Sequence, residues 1–215
     1  MTSETKTCQN CKQNFVIEPD DFNFYEKIKV PPPTFCPVCI FQRRLMFRNE
    51  RFFYKRDCEL CGKNVMALFA PERKRKVFCQ PCWWGDGWDG KDYGMDYDPS
   101  RNFFEQLKKL ALKTPYSSLL TDYSTLVNSE YVNHAGTMKN SYLVFNSDYC
   151  ENVAYAVVAD YTKDSLDGNM LVESELCYEA ITCGKCFRVF FSEDCRDCTD
   201  IYFSKDLMGC SYCFG

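Results

Sequence analysis

Fourteen of the sixteen cysteines in this 215-residue chain stand in Cys-x-x-Cys pairs, and no other feature restricts its possible folds as much. A secreted disulfide scaffold scatters its cysteines through loops behind a signal peptide. Here the N-terminus, MTSETKTCQN, is polar and lacks an apolar signal core. Nor do roughly 18 uncharged apolar residues run together anywhere, so the expectation is a soluble, cytoplasmic chain that makes no contact with a membrane. In a reducing compartment, paired cysteines mean metal or thiol chemistry.

Cys8 and Cys11, Cys36 and Cys39, Cys58 and Cys61, and Cys79 and Cys82 form four pairs with 24, 18 and 17 residues between them. Zinc takes four soft ligands in a tetrahedron, and two knuckles a short hairpin apart supply two thiolates each. Sequential pairing gives one site from Cys8, Cys11, Cys36 and Cys39 and a second from Cys58, Cys61, Cys79 and Cys82. Interleaved and nested pairings also close sterically. Gly62 stands where a knuckle bends toward positive φ, and Pro37 and Pro81 each stiffen the pair that holds them. Two Zn2+ per chain are expected, both structural, because a site with four cysteine ligands has no open position for water or substrate.

The run CQNCKQNFVIEPDDFNFYEKIKVPPPTFCPVCIFQRR, from Cys8 to Arg44, resembles a bacterial zinc-ribbon family. It shares two knuckles, an aromatic stretch, a proline turn before Cys-Pro-x-Cys, and paired arginines. Through RLMFRNERFFYKRDCELCGK and CWWGDGWDG the whole chain is similar to an uncharacterised bacterial family that joins two such ribbons to a cysteine-rich tail. Some members carry a class III CoA-transferase label. The chain is several hundred residues too short for such an enzyme, and no residue supports that activity.

Charge is divided unevenly along the chain. Residues 27–76 carry 13 Lys or Arg against 4 acids, and residues 77–215 carry 11 against 21. Between the two cysteine quartets, Arg43, Arg44, Arg48, Arg51, Lys55 and Arg56 interleave with Phe47, Phe52, Phe53 and Tyr54. A second basic run, Arg73, Lys74, Arg75 and Lys76, falls inside the second quartet. Guanidinium forks bind phosphate and aromatic faces stack on unpaired bases, so this composition suits RNA or DNA. In the competing reading, Leu45, Phe47, Phe52 and Tyr54 pack between the ribbons and the arginines form a solvated face. Trp83 and Trp84, which follow Cys82 among several aspartates, read as covers for the second metal site rather than as base-stacking residues.

DPSRNFFEQLKKLALKTP reads as one helix, with Asp98 as cap, Pro99 in the first turn, Phe103, Leu107, Leu110 and Ala111 on one face, and Pro115 as its stop. Beyond it the chain repeats. Asn128, Asn140, Asn152 and Asp164 begin units twelve residues apart, and Cys186, Cys198 and Cys210 do so again after two slightly shorter units. Short apolar strands with polar turns at this spacing predict a parallel β-solenoid. A twelve-residue coil encloses almost no interior, so two units per coil are expected, with Asn140 over Asp164 and near Cys186 and Cys210.

The tail cysteines then recur because the repeat recurs. A third metal site from Cys183, Cys186, Cys195 and Cys198 is the competing reading. A redox pair is disfavoured, since that motif should open a helix after a strand. The register runs unbroken to Gly215, which suggests that the natural chain continues.

The fold class expected is mainly β. It comprises a first zinc ribbon with its basic connection (1–56), a second ribbon (57–97), a capping or linker helix (98–120) and a solenoid (121–215). No nucleophile with its base, no phosphate loop and no paired carboxylates point to catalysis, and His134 is a lone histidine. The function expected is a zinc-binding, non-catalytic protein that binds nucleic acid through the basic region. The alternative is a protein-interaction scaffold, with the acidic solenoid as the partner surface.

Overall fold

The computed structural model of the chain describes residues 2–46 and 49–215. It divides into two compact units, Met1–Asn49 and Glu50–Gly215. Arg48 and Phe47, named above for the basic connection, lie outside the described residues.

In the first unit a two-stranded antiparallel hairpin, β1 (Glu4–Thr7) and β2 (Asn14–Ile17), is followed by helices α1 (Pro19–Lys27) and α2 (Pro37–Leu45). The second unit opens with the same arrangement. Strands β3 (Tyr54–Asp57) and β4 (Asn64–Ala67) pair antiparallel, and the short helix α3 (Gln80–Trp84) follows β5 (Val77–Phe78). Cys36 is the N-cap of α2 and Cys79 that of α3. The expected ribbon with two hairpin knuckles is therefore built differently: the first pair of each quartet sits in a hairpin turn, and the second opens a helix. Proline inside the second pair suits a helix start, where its missing N–H leaves no bond unmade.

Helix α4 (Phe103–Lys113) is capped by Asn102, whose side-chain oxygen accepts from the Glu105 N–H at 3.2 Å. Asp98, expected as the cap, instead closes a turn by accepting from the Ser100 amide and hydroxyl. Asn wins because the chain turns helical only at Phe103, and an N-cap side chain must reach the amide three residues on. After α4, β6 (Tyr116–Ser117) pairs parallel with β5, tying the second cysteine module to the chain that enters the solenoid.

The tail is a parallel β-solenoid with ten strands between Leu126 and Phe214, about seven coils in all. Every paired residue is twelve from its partner, as in Val132 with Val144, Ser165 with Val153, and Ile201 with Cys213. One unit thus makes one coil, and the expectation of two units per coil is overturned. Asn140 lies between Asn128 and Asn152 and hydrogen-bonds to each at 3.1 Å. Asn152 in turn donates to Asp164 at 2.7 Å. The register does not shorten between Asp164 and Cys186. The cysteines occupy a different column, two residues ahead of the asparagines.

The coil is organised in threes. From Ser129 to Ser204 every third residue is buried, and from His134 to Tyr212 every third residue, out of phase with these, has positive φ. Each coil therefore has four short sides of about 10 Å and four corners. Left-handed backbone is costly for a residue with a Cβ, and Val158 and Phe191 adopt it beside the more tolerant Asn and Asp. Parallel hydrogen bonding to both neighbouring coils offsets the cost. The corner amide of Lys185 donates to Val172 O at 2.8 Å, and that of Asp197 to Gly184 O at 3.0 Å.

The interior is as narrow as a twelve-residue coil implies. Such a lumen admits only small side chains, and the chain supplies Val, Ala, Ser, Thr, Gly and Cys. Its larger inward residues, Met138, Leu171 and Ile201, fall among small ones. Outside, side chains twelve apart stack. Tyr149 and Tyr161 have centroids 4.6 Å apart, and Phe191 and Phe203 4.9 Å.

Candidate metal centres and the basic surface

The two N-terminal quartets assemble as sequential pairing predicts. The sulfurs of Cys8, Cys11, Cys36 and Cys39 lie within 4.8 Å of one another, as do those of Cys58, Cys61, Cys79 and Cys82. Among the described residues these are the groups of potential metal ligands gathered so closely. Matching hydrogen bonds hold both. Cys8 N–H donates to Gln13 O at 2.9 Å and Cys58 N–H to Lys63 O at 2.8 Å, closing each knuckle. Cys36 N–H donates to Cys8 Sγ, and Cys79 N–H to Cys58 Sγ, both at 3.2 Å. The knuckle bends through left-handed backbone at Lys12 in one module and at Gly62, as predicted, in the other.

These amides explain the electrostatics. Burial alone would raise the Cys8 thiol, but backbone N–H groups from Cys36, Cys11 and Asn10 outweigh it and bring it down to about 6. In the second module Cys58 follows the same pattern, also to about 6. The pair is asymmetric: a shared hydrogen bond with Cys79, helped by burial, pushes Cys82 up to about 12. A divalent cation reverses that, since a coordinating thiol gives up its proton. Four thiolates on a hairpin turn and a helix N-terminus are a donor set for a soft or borderline metal, with no position left for substrate.

Aromatic cover differs between the modules. Phe15 and Phe35 pack on the first quartet, while Val65, Trp83 and Trp88 pack on the second. Trp83 thus has the covering role expected of it. Trp84 remains 68 % exposed, and its indole N–H donates to Gln80 Oε1.

The basic residues separate into two sets. Arg43 lies 4.6 Å over the Phe35 ring, Arg75 4.7 Å over Tyr116, and Lys76 5.2 Å over Tyr93. Arg56 is internal: its guanidinium donates at 2.9 Å to both Glu59 Oε1 and the Arg75 carbonyl. Arg43 and Lys76 nonetheless remain exposed, as are Arg44, Arg51, Lys55, Arg73 and Lys74. The Arg56 bond to Arg75 fastens the strand carrying Lys55 to the basic turn at 73–76.

In the tail, Cys183, Cys186, Cys195 and Cys198 all point into the lumen, as do Cys150, Cys177, Cys210 and Cys213. Inward positions are three apart, so two successive inward cysteines read as Cys-x-x-Cys. None of the sixteen cysteines is in a disulfide. Each tail thiol donates to the carbonyl two residues earlier, as Cys186 does to Gly184 O at 3.3 Å and Cys198 to Arg196 O at 3.0 Å. Inward serines make the same bond, Ser174 to Val172 O at 3.0 Å and Ser192 to Phe190 O at 2.8 Å. Burial holds Cys150, Cys177 and Cys195 up at about 11, where thiols are unreactive. Cys186 is the exception, lowered to about 7 chiefly by its side-chain interaction with Cys183 and by backbone groups of Cys198 and Gly184, which together outweigh burial.

Sequence reasoning also missed Asn133. It is fully buried, accepts from Leu120 N–H at 2.9 Å and donates to Glu50 O at 3.2 Å, joining the first coil to the two segments that precede it. Only the fold reveals this role, since an isolated Asn in an apolar strand carries no motif. No helix among the described residues is long and apolar enough to cross a membrane. Comparison with protein-family models, with curated proteins and with solved structures finds no match to the chain.

Proposed function

We propose that this chain is a zinc-binding, non-catalytic protein whose basic N-terminal region binds RNA or DNA. Zinc is the metal that best suits two closed sets of four thiolates, and in small modules of this kind it replaces the core they lack. The observation that carries the nucleic-acid reading is the bond from Arg56 to the Arg75 carbonyl. It fixes the turn bearing exposed Arg73 and Lys74 against the strand that bears Lys55, so the turn offers a held pair of cations while Lys55, the residue before Arg56, is exposed on the other face of that strand. Neutralising several phosphates releases counterions, so such binding weakens steeply with salt.

The test is a fluorescence titration of the zinc-loaded chain with single-stranded RNA and with duplex DNA at several salt concentrations. Micromolar binding that falls steeply with salt supports the reading. An absence of binding at low salt overturns it and favours the second reading, a metal-stabilised scaffold for protein partners. The long, regular and largely acidic outer surface of the solenoid favours that alternative.

A further inference from the structure

We infer that the groove between the Glu72–Arg75 turn and helix α4 is a docking site for an acidic, amphipathic peptide segment. This goes beyond the nucleic-acid reading, for it concerns a second partner of different chemistry.

The two walls of this groove differ in kind. The turn contributes Arg73 and Lys74, both exposed, and its one acid is Glu72. Helix α4 contributes Phe104, Leu107, Ala111 and Leu112, with Lys108 at the edge. Together they line an open groove of about 460 Å³. The apolar residues fall at i, i+3, i+7 and i+8, the stripe by which a surface helix normally packs against a neighbour. Yet α4 buries none of its residues, and Phe104 is 74 % exposed, Leu107 45 % and Leu112 42 %. A soluble chain seldom leaves such a stripe bare beside a cluster of cations unless something covers it.

Charge complementarity selects the occupant. A single-stranded nucleic acid would satisfy Arg73, Lys74 and Lys108 and could stack a base on Phe104, but it would leave Leu107 and Leu112 in water. A purely apolar segment would strip solvent from three cations and return nothing. A segment with carboxylates on one side and apolar residues at helical spacing on the other satisfies both walls. The stripe from Phe104 to Leu112 is about 12 Å long, which matches two turns of helix and about three apolar anchors.

The test uses the full zinc-loaded chain and three fluorescein-labelled probes: a twelve-residue peptide with leucines at positions 1, 4 and 8 and glutamates elsewhere, the same peptide with lysines for glutamates, and single-stranded RNA. Fluorescence anisotropy is expected to show the acidic peptide binding at least tenfold more tightly than the basic one. Leu107→Gln, at a half-exposed position where folding is not at stake, lowers peptide affinity by on the order of tenfold while leaving any RNA binding unchanged. Lys74→Ala weakens the acidic peptide and flattens its salt dependence. Equal binding of both peptides, or an acidic peptide indifferent to Leu107→Gln, overturns the inference. So does a loss on Leu107→Gln confined to RNA, since the groove would then serve nucleic acid. Failure of RNA to bind anywhere, with the peptide results as expected, overturns only the nucleic-acid reading.

Discussion

Cys186 lies one coil beyond Ser174, and its backbone N–H donates to the Ser174 hydroxyl at 3.2 Å. That hydroxyl donates in turn to the Val172 carbonyl at 3.0 Å, the bond that Cys186 Sγ repeats with Gly184 O at 3.3 Å. Serine and cysteine thus exchange freely in one column of the lumen, because both are small and both can reach the carbonyl two residues back.

Cys186→Ser and Cys198→Ser should therefore fold normally, with unfolding midpoints within a few degrees of the parent chain. Cys186→Phe should not. A ring forced among Cys183, Cys195 and Cys198 overpacks a lumen of fixed width and costs about 1–3 kcal/mol or more. Thermal unfolding followed by circular dichroism separates the two outcomes.

Asn133→Leu removes a buried acceptor from Leu120 N–H and a donor to Glu50 O. Two backbone groups lose their partner at a single site, and a loss of about 2 kcal/mol is expected, the cost of leaving buried polar groups unsatisfied. Hydrogen exchange should show early opening at residues 119–135, while the last coils keep their protection.

Arg188 forms an ion pair with Asp200, one coil on, at 2.6 Å. Asp200 is almost completely buried, whereas Arg188 is about half exposed. Arg188→Ala leaves the buried carboxylate alone and should lower the denaturation midpoint. The double variant Arg188→Ala with Asp200→Asn should recover part of that loss in chemical denaturation, because no uncompensated charge remains.

Arg44, Arg51, Arg73 and Lys74 are exposed, so replacing all four with Ala should leave the fold and metal content intact. The salt slope of RNA binding should fall by roughly one per phosphate contact removed. Arg56→Ala should behave differently, destabilising the second module through loss of its bonds to Glu59 and Arg75.

Much of this was legible in the sequence. The N-terminal quartets were readable because metal-ligand spacing is a local signal: two thiolates three residues apart must share a turn. The solenoid and its twelve-residue step were readable from Asn128, Asn140 and Asn152, which announce themselves as a ladder. The three-residue step was not. Its inward set mixes Val, Ala, Ser, Thr, Gly and Cys, chemically unlike residues that share only small size, so no hydropathy pattern marks it. The same mixture hid the meaning of the tail cysteines, whose spacing coincides with that of a metal knuckle for an unrelated geometrical reason. Arg56 read as a surface cation because its neighbours are; only the pairing of β3 with β4 turns it inward.

Geometry divides the sixteen cysteines into eight gathered in two potential metal sites and eight lining the solenoid. Native mass spectrometry of the full chain purified with zinc tests this most directly, alongside a variant in which Cys183, Cys186, Cys195 and Cys198 are all serine. Two zinc ions per chain are predicted for both proteins. A third ion in the parent chain, lost in the quadruple variant, would contradict the division and make the solenoid a metal-binding element.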